Sequence, residues 1–138
     1  MANPSKKKGT AAETKVKNYF IDHGFRCERK SLAGSADEGD LRLYLHDGVE
    51  VTVEVKAGKQ TWNYPRSKLE EWKQQTIVES RNSGCQQSIL VIVRYRRNFC
   101  DTEVWIPNFQ WWNETMPAWT MMYIDDFVKG EYDATRVA

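Results

Sequence analysis

The alternating run Val49-Glu50-Val51-Thr52-Val53-Glu54-Val55-Lys56 does most to limit what this chain can become. A period of two in β-branched residues predicts a strand with one face on a core and the other on something polar. Asp47-Gly48 just before it is a hairpin turn signal, which predicts strands over 40–46 and 49–56 paired as a hairpin. Side chains two apart on a strand share a face. Glu54 and Lys56 therefore point one way, and Val51, Val53 and Val55 the other. Asp40, in Gly39-Asp40-Leu41, stands fourteen residues before Glu54, at the start of the partner strand. Two carboxylates at one sheet edge can hold a hard divalent cation through oxygen. A lysine beside them can orient water and offset charge on a phosphate. These residue types suit phosphodiester hydrolysis. Alternating Glu and Lys also describes an ordinary solvent-facing strand, so the surrounding residues decide.

Thr10 and Glu13 have the spacing of a capping box, which predicts a helix running to about Asp22. Ala12, Val16, Tyr19 and Phe20 form its apolar face, and Gly24 ends it. Phe25 to Ser31 reads as a short strand, followed by a loop of small residues over 32–39. Pro65 precedes a predicted helix of about 67–82, with Leu69, Trp72, Thr76, Ile77 and Val78 inward and Gly84 closing it. Ser88 to Tyr95 is a buried strand, and Glu103 to Ile106 another. The order α-β-β-β-α-β-β predicts an α/β domain with a mixed sheet flanked by helices. Trp119 to Ile124 reads as an edge strand and Asp125 to Val128 as a short helical turn. Trp111, Trp112, Met116, Trp119, Met121 and Met122 make an apolar cluster that suits core or a dimer interface better than a ligand box.

A chain of 138 residues is the size of one domain. Three parts are expected: a disordered basic arm over 1–8, a core over 9–106, and a C-terminal extension over 107–138. No apolar run approaches the roughly 20 residues that span a bilayer, and no apolar stretch follows the lysine run, so neither a membrane span nor a signal peptide is expected. Cys27, Cys85 and Cys100 form no CxxC pair and fit a reducing interior. With only His23 and His46, a zinc site is not expected. Net charge is +1, but it is unevenly spread. Residues 1–97 carry 18 Lys/Arg against 12 Asp/Glu, and residues 98–138 carry 2 against 7. A basic face for nucleic acid is compatible with that distribution.

Glu13 in a first helix, Ser35 in a loop, Asp40, and Glu54-Val55-Lys56 before a glutamine-bearing helix resemble the PD-(D/E)XK nuclease superfamily. Within it, the likeness is to archaeal-type Holliday junction resolvases and their phage relatives. Lys8-Gly9-Thr10-Ala11-Ala12-Glu13, the helix entering His23-Gly24-Phe25, and Arg26 with Arg29 are similar to their opening segment, and the likeness covers roughly residues 8–106. Gly39 stands where the superfamily places a proline. The virus-type replication-repair nucleases share the same acidic core and a glutamine in the following helix, here Gln74 or Gln75.

The resemblance implies a restriction-endonuclease-like fold: a mixed central β-sheet flanked by helices, with an α-β-β-β-α-β core and a C-terminal extension. It further implies a Mg²⁺-dependent endodeoxyribonuclease, with Mn²⁺ able to substitute, that resolves four-way DNA junctions as a homodimer. Asp40, Glu54 and the Val55 carbonyl would ligate the metal, with Glu13 joining directly or through water. Lys56 would position the attacking water, and Ser35 would touch the phosphate. Glu13 has a competing role as a helix cap and Ser35 as a turn former. Lys6, Lys7, Lys8, Arg26, Arg29, Lys30, Trp62, Tyr64 and Gln74 are candidate DNA contacts. For Trp62 and Tyr64 the alternatives are stacking on splayed bases or packing on the next helix. A cytoplasmic protein of a bacterial or archaeal cell, or one encoded by a phage, is the corresponding expectation. The other functions open are a flap or other branched-DNA nuclease of the same superfamily, and a DNA-binding domain without catalysis.

Overall fold

In the computed structural model, the backbone is described for residues 4–30, 39–85, 87–108 and 118–137, and side chains for 11–30, 39–85, 87–108 and 118–130. The chain begins with helix α1 (Pro4–Asp22) and continues through strands β1 (Arg26–Arg29), β2 (Leu41–Tyr44) and β3 (Glu50–Lys56). Helix α2 (Arg66–Ser83) leads into β4 (Gln87–Ile92), β5 (Glu103–Pro107), β6 (Trp119–Tyr123) and helix α3 (Ile124–Val137). The six strands lie in sequence order in one sheet. Every neighbouring pair is antiparallel except β3 and β4, which run parallel through the α2 crossover. This mixed α/β sheet has the expected architecture.

The alternation in β3 sorts the two faces. Val51, Val53 and Val55 join Leu41, Leu43, Ile89, Val91 and Val104 in a core closed by Val16 and Phe20 of α1 and by Ile124, Phe127 and Val128 of α3. Leu69 and Trp72 of α2 pack on Leu90 and Ile92 across the other face. There Thr52, Glu54 and Lys56 meet α2 instead of solvent. Thr52 Oγ1 lies 2.7 Å from Ser83 Oγ at the far end of that contact.

Several sequence-based boundaries shift. Helix α1 starts at Pro4, so the backbone of residues 4–8 is helical, and Thr10 lies inside the helix, where it cannot be an N-cap. Proline suits a first helical turn, whose N–H groups have no intrahelical acceptor, and the lysines after it are good helix formers. Val78 is 51% exposed, not inward, because Ile77 and Thr76 occupy the sheet-facing positions of that turn. Residues 119–137 are integral to the domain: β6 extends the sheet as an edge strand, and the predicted short turn is the start of the longer α3. Trp111, Trp112 and Met116 lie outside the described residues. The cysteines are free.

A polar knot fixes the ends of β4 and β5. Arg94 pairs with Glu103 at 2.7 Å, with 15% and 8% of the two side chains exposed. Arg94 also donates to the Thr61 and Trp62 carbonyls, and Tyr64 donates to Glu103 at 2.5 Å. Arg94 is thus a structural cation. Glu103→Ala is expected to destabilise the fold by about 3 kcal/mol, the lower end for breaking a buried pair, because Arg94 keeps some solvent contact. Chemical denaturation checks this, and replacing both partners with apolar residues should cost less than the single change.

Candidate functional site

The hairpin β2–β3 brings Asp40 onto the end of β3. Asp40 N donates to the Val53 carbonyl at 3.0 Å, and Asp40 Oδ2 accepts from Val55 N at 2.9 Å. This approach requires Gly39, which has φ +91°, a left-handed value that proline cannot adopt. A Cβ at this position would meet Thr52 Cγ2 at 2.7 Å and the Val53 carbonyl oxygen at 3.3 Å. Glycine at this position thus has a local cause.

Glu54 is 4% exposed beneath α2. Its Oε1 lies 3.4 Å from Lys56 Nζ, while Oε2 is buried with no hydrogen-bond partner among the described residues. Lys56 Nζ donates to Gln75 Oε1 at 2.8 Å, and Gln75 Nε2 donates to Glu79 Oε1 at 2.9 Å. Of the two candidate glutamines, Gln75 is the one that reaches the lysine; Gln74 faces outward on α2. Glu79, 1% exposed, is the residue the sequence reading did not single out. Its signal was present: Gln75 and Glu79 are one helical turn apart on one face. That face also carries Thr76 and Ser80, which is too polar for a helix packed only on an apolar sheet.

Glu13 of α1 comes up to Asp40 from the other side. Burial, then the charge of Asp40, raises its pKa, opposed by Arg29 at 3.7 Å. Arg29 also donates to Thr14 Oγ1. Burial first, then the neighbouring Glu54 charge, pushes Asp40 from 3.8 up to about 7. Burial, then hydrogen bonding and repulsion from Glu79, pushes Glu54 from 4.5 up to about 8. Glu13, Asp40, Glu54 and Glu79 therefore form a chain of mutually repelling carboxyls edged by Lys56 and Gln75.

The other candidates are more scattered. Arg26 is exposed, paired with Glu28 at 2.6 Å and stacked over Tyr44, and Lys30 is half-buried next to Asp40 through a backbone hydrogen bond of 2.9 Å. Tyr64 packs on Trp72 of α2, the packing alternative, whereas Trp62 is 55% exposed. Ser35 and the side chains of Lys6, Lys7 and Lys8 lie outside the described residues.

Among the described residues, no three metal-type side chains already converge as a ready cage. Mg²⁺ is held by one or two carboxylates, keeps several waters, and takes its remaining ligands from substrate phosphates. The buried Glu54 carboxyl and the Asp40 carboxyl, each of which feels the other, are a donor set of that kind.

The sequence matches no protein-family model and no curated protein. Among solved structures, the fold is similar to that of Hjc from Archaeoglobus fulgidus, a Holliday junction resolvase from an archaeal hyperthermophile. The TM-score is 0.51 at 16% identity, over 88% of this chain and 96% of that chain. The fold implied by the superfamily resemblance is therefore the fold observed.

Two outcomes are expected. Gly39→Pro should destabilise the chain by about 1–3 kcal/mol or more, read by thermal or chemical unfolding. In chelator, the raised carboxyls make the folded state bind more protons than the unfolded state between the ordinary carboxylate range and about 8. Stability should then fall as pH rises through that interval. Glu54→Gln should flatten the fall, and a melting temperature that rises over the same interval would contradict the site.

Proposed function

We propose that the chain is a divalent-metal-dependent endodeoxyribonuclease of branched DNA, with the four-way junction as preferred substrate. The observation that carries this is the meeting of Asp40, the buried Glu54 and Lys56 at one sheet edge, in a fold shared with a junction resolvase. Asp40, Glu54 and the Val55 carbonyl would hold Mg²⁺, with Mn²⁺ able to substitute, and Glu13 at the margin. When bound, the metal lowers the pKa of a water and neutralises charge on the phosphate.

The chain's own residues supply the rest. Gln75 and Glu54 fix the Lys56 ammonium, so that it presents a proton donor to the attacking water or the phosphate without reorganising. Glu79 orients the Gln75 amide by accepting from its nitrogen, which leaves the amide oxygen for the lysine. Arg29 offsets the charge of Glu13 at the mouth of the site. Two such sites in a homodimer would match the two-fold symmetry of a four-way junction.

Cleavage of a labelled four-way junction, beside matched duplex, flap and single strand, tests this with Mg²⁺ or with chelator. Paired symmetric nicks on the junction alone are expected, lost in chelator and in Glu54→Ala. Lys56→Ala should lose roughly 10²–10³ in rate, the usual cost of one preorganised donor. Cutting of every substrate would keep the chemistry and remove the junction preference. Junction binding without any cutting would leave a DNA-binding domain.

A further inference from the structure

The carboxylate site ends at Lys56, but the sheet edge beyond it holds a second constellation. Strands β3 and β4 run parallel with Lys56 opposite Ile92, so the segments that follow them leave the same edge. The first forms a single 3-10 turn, Lys59–Thr61, and then Trp62; the second carries Tyr95 and Arg96. Lys59, Trp62, Tyr95 and Arg96 line one open cleft of about 350 Å³. The Trp62 and Tyr95 rings meet nearly at right angles, 79°, with centroids 6.0 Å apart, and Arg96 stands 5.3 Å over Tyr95.

Three further observations indicate that this cleft is built to bind. Trp62 is 55% exposed, yet its segment is rigid. Thr61 is fully buried, donates to the Val93 carbonyl at 2.9 Å and accepts from Tyr95 N at 2.9 Å, while Arg94 clamps the Thr61 and Trp62 carbonyls. An indole presented on so fixed a frame loses little entropy when a partner covers it. Next, Arg96 has φ +58°, the one positive value at a non-glycine among the described residues, and such strain persists where a side chain must be aimed. Lastly, neither Lys59 nor Arg96 has a carboxylate partner among the described residues, in contrast to Arg94.

From this we infer that the Lys59–Trp62–Tyr95–Arg96 cleft receives an unpaired nucleobase of the DNA strand being cut. The exposed indole face stacks on the base, and Lys59 and Arg96 contact the phosphates on either side of it. An aromatic face with flanking cations suits single-stranded nucleic acid, because every base has a π-face. Bases within a duplex have both faces covered by neighbours and cannot enter, so the cleft discriminates for splayed strands. Lys59 is three chain steps from Lys56, at most about 11 Å, close enough for one strand to touch both sites. The inference rests on the nuclease reading only for the identity of that strand.

The test uses the full chain in chelator, so that binding is measured without cutting. The probes are a labelled linear duplex and the same duplex with an unpaired thymidine flap carrying a fluorescent adenine analogue at its first unpaired position. The wild-type chain should prefer the flap and quench the analogue. Trp62→Ala should weaken flap binding about tenfold, change duplex binding less than about twofold, and relieve the quench, while Trp62→Phe retains most of the preference. No wild-type preference, equal losses on both probes, or no loss in Trp62→Ala would overturn the cleft assignment. A parallel incubation of the same probes with Mg²⁺ separates the two ideas: binding discrimination without product would defeat the nuclease reading and leave the base site standing.

Discussion

Burial of Glu54 between β3 and α2 is the constraint on which the rest of the site depends. A carboxylate taken out of water is costly unless something repays its hydration. Here the cost shapes the covering helix. Because the polar face of β3 is roofed by α2, that helix must bring Gln75, Thr76, Glu79, Ser80 and Ser83 to its inner side. The apolar contact of Leu69 and Trp72 is confined to the first half of the helix. The second half is a polar seam, and Lys56 is held in it by two neighbours before any substrate arrives.

The two faces of the sheet thus have different tasks. Helices α1 and α3 close a continuous apolar core against Val51, Val53 and Val55. That core fixes β3 in register, and register sets which face every side chain takes, since a slip of one residue would turn Glu54 into the core. The parallel β3–β4 pair then places two connecting segments at the same sheet edge, the usual location for ligands in open α/β sheets. Both the carboxyl chain and the cleft around Trp62 follow from that single topological choice.

How much of this was legible in the sequence depended on the range of the interaction. The β2–β3 hairpin, the facing of Glu54 and Lys56, and the order of elements were readable, because period-two alternation and an Asp-Gly turn are local signals. The start of α1 was misjudged: Thr10 and Glu13 mimic a capping box, but the helix propensity of the lysines upstream carries it back to Pro4. Val78 was assigned inward on hydrophobicity alone, although a helix face is set by what lies opposite it. Glu79 and the Arg94–Glu103 pair were missed because their partners lie distant in sequence or across a strand pair, with no periodic signature. The left-handed backbone of Arg96 has no counterpart in a sequence pattern at all.

The site is also an argument about what the fold is for. Among the described residues, the carboxyls of Asp40 and Glu54 are buried and held well above their ordinary pKa, the conflict between burial and charge that marks a functional site. Apolar residues in place of a buried carboxyl pair would be neutral or stabilising on physical grounds. Carboxyls raised to about 7 and about 8 weaken the metal-free fold at neutral pH. A ligand that binds only the folded state and prefers ionised oxygens removes that penalty by mass action. A divalent cation does so directly, and a phosphate diester reaches the same oxygens only through one. On the proposed function, the frustration of the buried carboxyls and the chemistry share one cause: oxygens gathered where a cation would bind.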